Sequence, residues 1–298
     1  MKSKNVNAAM TFDGNRWKVA SVTIISLLKN RGRQHYDIYC VVPPDLYRNK
    51  KDAQLQMKKI VAKFDKKSSI KFIEYDYKNA SITYSKNMAY GGGIVYYKID
   101  YFRLLPKSVD KVIHLDDDVI VLRPLNEIYD YDMGDNYMLI FAPGNAFRLR
   151  ANRRKYKDIQ TYNAGVTVQN LKAIRESKVY RTFAKVFENK DLYFEQGLLA
   201  VAFKGKILMH PSDKVLYNYR IHCDKHKGRE VACIHYTGKK PWFFPVRRMF
   251  TWWKYAKLAP FYKEFRTNAI RNFFVYIMLM PLPIKRWRHG LRNKLQKH

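Results

Sequence analysis

Three consecutive aspartates, Asp116, Asp117 and Asp118, lie between two apolar runs, residues 112–115 and 119–122. Because neighbouring anions repel one another, each carboxylate requires solvent, a positive partner or a cation. Ligands of open α/β sheets bind at the carboxyl ends of strands, so an Asp-x-Asp pair at such a point indicates a site for a hard divalent cation and for the phosphate groups that it binds. The alternative for this pattern alone is a solvated acidic loop.

His235 adds an imidazole to the two carboxylates. It follows the strand-like residues 231–234 and precedes a turn that contains Gly238 and Lys240. Two carboxylates and one imidazole fill half of an octahedral shell and leave the other half for diphosphate oxygens and water, which suits Mn²⁺ better than Mg²⁺. Lys240 supplies a nearby cation for phosphate. A buried histidine satisfied by hydrogen bonds is the alternative for His235, and the aspartates favour the metal-ligand interpretation.

Strands and helices that alternate along the chain would position these groups. The apolar pattern predicts, in chain order, a strand at 6–10, a helix at 16–29, a strand at 36–42, a helix at 50–64, a strand at 70–75, a helix at 94–105, the acidic strand at 112–121, a strand at 137–142, a very basic loop at 148–157, a strand at 165–169, a helix from Leu171 and a shorter helix from Glu195. This order favours an α/β fold with a doubly wound, mostly parallel, Rossmann-like sheet. In an extended segment Asp116 and Asp118 would share one face, and Asp117 would be a solvated or helix-capping carboxylate on the other.

Length predicts the domain organisation of the chain, and charge limits the classes of binding partner. With 298 residues and 47% hydrophobic content, we predict one α/β domain over residues 1–245 and a basic, helical appendage over residues 246–298. The 57 lysines and arginines against 25 aspartates and glutamates give a net charge of +32, which indicates a nucleic acid or acidic lipid headgroups as a partner. A nucleic-acid-binding protein leaves the paired aspartates unexplained, and no nucleic-acid-binding motif is recognised, so no nucleic acid is expected.

The C-terminal tail favours lipid. Its apolar run, residues 273–280, is too short to span a bilayer but long enough to enter the headgroup layer, and basic residues follow at 285–288. We predict an anionic membrane surface as its partner; a solvated helix, or docking of the run on the catalytic domain, is the alternative. The apolar residues 19–28 lack a signal-peptide cleavage site and predict a buried helix. Since the three cysteines form no Cys-x-x-Cys pair, we expect a reducing compartment, the cytoplasm, at the inner face of the cell membrane.

Several spaced motifs together resemble glycosyltransferase family 8, the group that contains glycogenin and the bacterial lipopolysaccharide galactosyl- and glucosyltransferases. The motifs run through most of the first 245 residues and lie at 11–15, 96–98, 112–121, 162–166, 195–196 and 235–242. The resemblance implies a GT-A fold, a Mn²⁺-dependent UDP-sugar donor, with Mg²⁺ as a possible substitute, and retention at the anomeric carbon. It also implies transfer of a hexose, galactose or glucose, to a cell-surface glycan or lipid-linked acceptor.

The resemblance also implies roles for individual residues. Asp116, Asp118 and His235 resemble the metal ligands, and Asp116 is also expected near the ribose or sugar of the donor. The other donor-binding residues are expected to hold uracil and ribose (Asp13 and Asn15), a sugar hydroxyl (Asn163) and the diphosphate (Lys98 and Lys240), and Gly238, in the turn before Lys240, is expected to be a further substrate-binding residue. Lys98 stands where an arginine is usual, so a bidentate contact becomes a point-charge contact.

Gln196 resembles the group that faces the anomeric carbon. Because an amide is a poor nucleophile, we favour attack by the acceptor on the face that the diphosphate leaves, with Gln196 supporting the oxocarbenium-like centre. Gly197 replaces a frequent aspartate, so Glu195 is the nearest acid, and a covalent route through Glu195 stays open. A catalytically inactive glycan- or lipid-binding module on the same fold is the alternative function.

Overall fold

A computed structural model describes residues 5–76, 91–141, 159, 162–183, 194–211, 214–222, 228–243 and 245–279. The strands of these ranges are β1 Val6–Thr11, β2 Tyr36–Val42, β3 Ser69–Glu74, β4 Lys111–Leu115, β5 Val119–Val121, β6 Met138–Ile140, β7 Val166–Asn170, β8 Ile207–Met209, β9 Val215–Leu216, β10 Tyr219–Arg220, β11 Glu230–Val231 and β12 Cys233–His235. The α-helices are α1 Trp17–Lys29, α2 Lys51–Phe64, α3 Tyr101–Leu104, α4 Asn126–Asp130, α5 Leu171–Ser177, α6 Phe194–Ala202, α7 Met249–Ala256 and α8 Tyr262–Leu279.

A seven-stranded sheet with the order β3-β2-β1-β4-β7-β6-β8 forms the centre of the fold. Neighbouring strands are parallel except that β7 runs antiparallel to both β4 and β6. A second sheet, β10-β12-β5, joins the segment that follows β4 to the segment that carries His235. The predicted α/β fold with a mostly parallel sheet is therefore confirmed.

Helix α1 is buried on all sides. Every residue from Val19 to Leu28 is buried, because Ala20, Ile24 and Leu27 pack into the core on the sheet while Val22 and Ile25 belong to a second cluster with the C-terminal helices. A helix that is apolar all round requires such double cover. The interpretation of residues 19–28 as a buried helix is confirmed.

The first part of the C-terminal appendage packs on this helix. Trp252, Ala256, Phe261 and Phe265 are buried in the cluster that also contains Val22. The basic helical appendage thus has its own contacts with the core up to Phe265, and the division of the chain at residue 245 stays a prediction. Among the helices that the structure describes, none has the length and hydropathy to cross a membrane.

Two predicted elements differ from the structure. The helix at 94–105 is a 3₁₀ helix, Gly91–Asp100, followed by the short α3; the carbonyl of Lys98 accepts a hydrogen bond from Gln169 Nε2 at 3.1 Å, which occupies an acceptor of a regular helix. The acidic strand is broken after Leu115 by a turn in which Val119 N donates to Asp116 O at 3.2 Å. The prediction of a continuous strand was wrong because β5 leaves the central sheet to pair with β12. The predicted basic loop at 148–157 lies outside the described residues.

Candidate active site

The turn between β4 and β5 places Asp116 and Asp118 beside His235. Strand β12 pairs antiparallel with β5, with His235 opposite Val119, and Tyr236 N donates to Asp118 O at 3.1 Å. His235 Nε2 consequently lies 3.2 Å from Asp118 Oδ1 and 3.7 Å from Asp116 Oδ2. The structure therefore brings together the three residues that the sequence predicts as metal ligands.

Asp116 uses one carboxylate oxygen for protein contacts and presents the other to this cluster. Its Oδ1 accepts from Lys98 Nζ and from His114 Nε2, each at 2.9 Å. Burial raises the pKa of Asp116, but Lys98 and then His114 outweigh burial and hold it well below its usual value. Burial and the Lys98 charge lower the pKa of His114 to about 4, so this imidazole is neutral near pH 7.

Lys98 lies beneath the cluster. Its side chain is 3% exposed, and its ammonium also lies 3.6 Å from Glu195 Oε1. Burial lowers the pKa of Lys98, but the charges of Asp116 and Glu195 more than compensate and raise it above its usual value. Gln196 Nε2 in turn lies 3.3 Å from Glu195 Oε1 at the start of α6. Of the two predicted catalytic residues, Glu195 thus lies next to the ammonium that holds Asp116, and Gln196 lies next to Glu195.

Asp118 is arranged in the same way. Its Oδ2 accepts from Lys240 Nζ, which also donates to Tyr236 O at 2.8 Å. Burial acts to raise the pKa of Asp118, and Lys240 and His235 together lower it. Its Oδ1 is buried and accepts no hydrogen bond from the described part of the chain. A buried carboxylate oxygen without a donor is costly unless a cation binds it.

The other face of the His235 imidazole is fixed by two amides. His235 Nδ1 lies 3.0 Å from Oδ1 of both Asn163 and Asn218. Because amide oxygens only accept, Nδ1 carries a proton, and in the neutral imidazole the lone pair is then on Nε2, the nitrogen that faces the carboxylates. Asn163 Oδ1 also accepts from Asn218 Nδ2 at 2.9 Å and from Gly165 N at 3.1 Å, so Asn163 orients His235; its contact to a sugar hydroxyl stays a prediction.

Gly165 provides the space for the imidazole. A Cβ atom at this position would lie 2.1 Å from two ring atoms of His235. Its φ is not positive, so the requirement is the close approach of the ring and not the backbone conformation. The register of β4 with β7, in which Leu115 opposes Val166, sets this contact, and Asp116 N donates to Gly165 O at 2.8 Å.

Asp117 has a different environment from its neighbours. Both of its oxygens accept from Arg16, at 2.6 and 2.7 Å, and its side chain is 13% exposed. The Arg16 guanidinium lies 5.0 Å from the ring centroid of Trp242. Asp117 therefore points away from the cluster as predicted. The prediction of a solvated or helix-capping carboxylate was wrong, since Arg16 forms a bidentate ion pair with Asp117 between α1 and the turn after β12.

Three further predicted donor residues lie in turns. Asp13 Oδ1 accepts from Asn15 N at 2.8 Å at the end of β1, and Asn15 is exposed. Gly238 has φ +73°, which favours glycine, and no atom lies within 4 Å of a Cβ built there. Their contacts with uracil, ribose and diphosphate stay predictions.

Sequence reasoning missed four residues of the site: Arg16, Tyr101, His114 and Asn218. His114 could have been found, because it lies two residues before Asp116 and residues i and i+2 of a strand share a face. The other three come from distant segments, and no local pattern marks them.

The donor set fits a divalent cation. Two carboxylate oxygens and one imidazole nitrogen lie within 4.8 Å of one another, and adjacent ligands of a six-coordinate ion with bonds of about 2.1 Å are about 3 Å apart. The separations of 3.2 and 3.7 Å are close to that value. The unpaired Oδ1 of Asp118 supports the fit.

The central sheet and this acidic cluster at the end of β4 define an α/β protein with a candidate divalent-cation site. The chain belongs to glycosyltransferase family 8, since the sequence profile described as "Glycosyl transferase family 8" matches residues 7–244. It is 22% identical over 260 residues to the lipopolysaccharide 1,2-glucosyltransferase of Escherichia coli (strain K12), a match that covers 80% of this chain and 73% of that protein.

Solved structures confirm the predicted GT-A type of α/β fold. The galactosyltransferase LgtC in complex with donor and acceptor sugar analogs matches with a TM-score of 0.65 and 20% identity over 95% of this chain and 99% of LgtC. The bifunctional glycosyltransferase WbbM matches with a TM-score of 0.73 and 15% identity over 90% of this chain and 52% of WbbM. This chain thus spans about half the length of the WbbM structure.

Proposed function

We propose that this protein is a retaining, Mn²⁺-dependent glycosyltransferase that transfers galactose or glucose from a UDP-sugar to a cell-surface glycan or lipid-linked acceptor. The single observation that carries the proposal is the convergence of Asp116 Oδ2, Asp118 Oδ1 and His235 Nε2, with the Asp118 oxygen buried and without a hydrogen bond. Membership of family 8 supports sugar transfer. The similarity to a lipopolysaccharide glucosyltransferase supports a hexose and a glycolipid acceptor.

Asp116, Asp118 and His235 would hold the metal ion. When bound, a divalent cation would neutralise negative charge on the diphosphate leaving group. The mixed oxygen and nitrogen ligands suit Mn²⁺ better than Mg²⁺. Lys240 places a second positive charge at the same edge, because its ammonium contacts Asp118 Oδ2 while its side chain stays 22% exposed. A preorganised cation at this point stabilises charge as the sugar–phosphate bond breaks.

Lys98 acts below the carboxylates. Its side chain is buried between Asp116 and Glu195, and its ammonium holds both carboxylates in place. Its positive charge would therefore act on the diphosphate at a distance, through the local electric field, and not by direct contact. This position differs from the direct diphosphate contact that the sequence predicts, and a direct contact would require the Asp116 ion pair to open. We propose the field effect for the ground state of the enzyme.

The surroundings of α6 favour same-face attack by the acceptor. Glu195 is 4% exposed at its side chain and lies near Lys98, which leaves its carboxylate neutralised and poorly placed as a nucleophile. Gln196 is less buried and adjacent. In this proposal Gln196 supports the positive charge that develops at the anomeric carbon, and the departing diphosphate oxygen takes the proton of the attacking hydroxyl.

We also propose that the enzyme works at the cytoplasmic face of an anionic membrane. Beyond Phe265, α8 keeps Asn272 buried, whereas Ile270, Phe273 and Phe274 are 46%, 46% and 60% exposed. Arg266 and Arg271 are exposed on the same helix. Aromatic and basic side chains together suit the headgroup layer, where each lysine or arginine contributes about 1 kcal/mol. The basic residues at 285–288, which the sequence assigns to the same contact, lie outside the described residues.

A UDP-release assay tests the proposal. The full chain is incubated with UDP-galactose, UDP-glucose and other UDP-sugars, with Mn²⁺, with Mg²⁺ or with EDTA, and released UDP is measured. We expect release with one hexose donor, more with Mn²⁺ than with Mg²⁺ and none with EDTA. Binding of UDP and Mn²⁺ by a folded protein without release, even when lipopolysaccharide fragments are supplied as acceptors, would instead identify an inactive glycan- or lipid-binding module.

A further inference from the structure

His114 is a buried imidazole among the apolar residues of β4, whose first residue is Lys111. It is the fourth residue of β4, and neither it nor Tyr101 has any exposed surface. A buried imidazole is costly unless hydrogen bonds satisfy it. Both of its nitrogens have partners, and those partners differ in kind: a carboxylate on one side and a phenol on the other.

The two contacts determine the direction of each hydrogen bond. Asp116 Oδ1, 2.9 Å from His114 Nε2, can only accept, so Nε2 carries the proton. In a neutral imidazole Nδ1 then has the lone pair, and Tyr101 donates its hydroxyl proton to Nδ1 at 2.9 Å. A chain of two directed hydrogen bonds therefore runs from α3 through β4 to the carboxylate of Asp116.

The carboxylate is held at one oxygen. Oδ1 receives Lys98 and His114, while Oδ2 lies 3.7 Å from His235 Nε2. With Lys98 alone, the carboxylate could turn toward the ammonium and present both oxygens to it. A second donor from another direction fixes the plane of the carboxylate.

We propose that His114, itself oriented by Tyr101, is a positioning residue that holds Asp116 Oδ1 and leaves Oδ2 as the single metal-binding atom of this aspartate. The proposal rests on the proposed function, because it assumes a cation at the cluster. It gives His114 the role that Asn163 and Asn218 have for His235, on the opposite side of the site. Partners of this kind typically change metal affinity by about 10- to 100-fold when they are removed.

Substitutions of the full-length protein separate positioning from packing. His114→Leu removes both hydrogen bonds. His114→Gln keeps an amide donor about as far from Cα as imidazole Nε2, whereas the amide of His114→Asn reaches only as far as Nδ1. His210→Leu is the matched control, since His210 is also a buried histidine but packs against Tyr131, Phe141 and Tyr217.

The measurement is Mn²⁺ affinity, by the electron paramagnetic resonance of free Mn²⁺ during titration in the presence of UDP, together with the unfolding temperature. We expect His114→Leu and His114→Asn to bind Mn²⁺ about 10- to 100-fold more weakly than the unsubstituted protein, and His114→Gln to recover most of this loss. Tyr101→Phe should also weaken Mn²⁺ binding, but by a smaller factor. His210→Leu should lower the unfolding temperature and leave Mn²⁺ affinity within about twofold, because its ring packs against aromatic side chains outside the cluster.

Equal Mn²⁺ affinity in the unsubstituted, His114→Asn and His114→Gln proteins would overturn the inference and leave His114 a packing residue. If His114→Leu does not fold, the Asn and Gln pair decides alone. Absence of Mn²⁺ binding by the folded, unsubstituted protein would instead overturn the metal-dependent function, and the two failures are therefore distinguishable.

Discussion

The cluster at the end of β4 and the C-terminal helix α8 both leave groups without a protein partner, but of opposite kinds. In the cluster, Asp118 Oδ1 is buried and accepts no hydrogen bond within the described residues. On α8, Phe273 and Phe274 are large apolar side chains that remain 46% and 60% exposed. The first region has a buried oxygen atom without a hydrogen bond, and the second has apolar side chains that are exposed to solvent.

The difference indicates two ligands. A buried carboxylate oxygen without a hydrogen bond favours a cation, and partners on their outer sides orient the three side chains of the cluster. Exposed aromatic residues beside arginines suit the surface of an anionic membrane, where apolar acyl chains lie beneath charged headgroups. Ligand atoms held by hydrogen bonds characterise the first region, and a helix with exposed apolar side chains characterises the second.

The largest expected effect is in the cluster. Asp118→Asn removes a charged ligand but keeps the shape of the side chain, so we expect UDP release to fall by at least about 1,000-fold and Mn²⁺ binding to be lost. Steady-state kinetics and Mn²⁺ titration measure both. Asp117→Asn is the matched control: it weakens the Arg16 pair and should lower stability by about 1–3 kcal/mol, with Mn²⁺ affinity nearly unchanged. The reverse result for the two variants would contradict the assignment of the triplet.

Gln196→Ala tests the residue that we propose faces the anomeric carbon. We expect kcat to fall by about 100-fold, because a side chain that stabilises the transition state is removed, while UDP and Mn²⁺ affinity stay unchanged. Kinetics and calorimetric UDP binding measure the two quantities. A large loss of UDP affinity would move Gln196 to the nucleotide pocket.

Gly165→Ala tests the preorganisation of His235. The added Cβ would lie 2.1 Å from the imidazole, so the ring must shift and Mn²⁺ affinity should fall by about 10- to 100-fold. Mn²⁺ titration measures the loss. Gly134→Ala is the control, since no atom lies within 4 Å of its Cβ position although φ is +50°; it should cost stability only. Wild-type affinity in Gly165→Ala would show that the ring position tolerates movement.

The smallest expected effect concerns α8. Replacing Phe273 and Phe274 together by serine removes apolar surface that is already exposed, and we expect binding to vesicles with acidic lipid to weaken by about 5- to 20-fold. Co-sedimentation measures binding, and UDP release should stay within about twofold. Unchanged sedimentation of the double variant, with binding that salt abolishes completely, would assign the contact to charge alone.

Much of the fold could be predicted from the sequence, because the apolar pattern of β1, β2 and α1 follows directly from what each element buries. The cluster of Asp116, Asp118 and His235 could be predicted because carboxylates and an imidazole at strand ends are the usual ligands of a divalent cation. The break between β4 and β5 could not, since the apolar run continues across it and the exchange of sheets depends on pairing with β12.

The sequence by itself determined the family, the parallel sheet and the identity of Asp116, Asp118 and His235, since these depend on local patterns and on residue chemistry. Only the tertiary structure decided which atom of each ligand is available. That choice depends on His114, which is near Asp116 in the sequence, and on four residues that meet the three side chains only after folding: Lys98, Asn163, Asn218 and Lys240. It also decided that Asp117 pairs with Arg16. A hydrogen bond selects one atom by distance and direction, and the local sequence specifies neither.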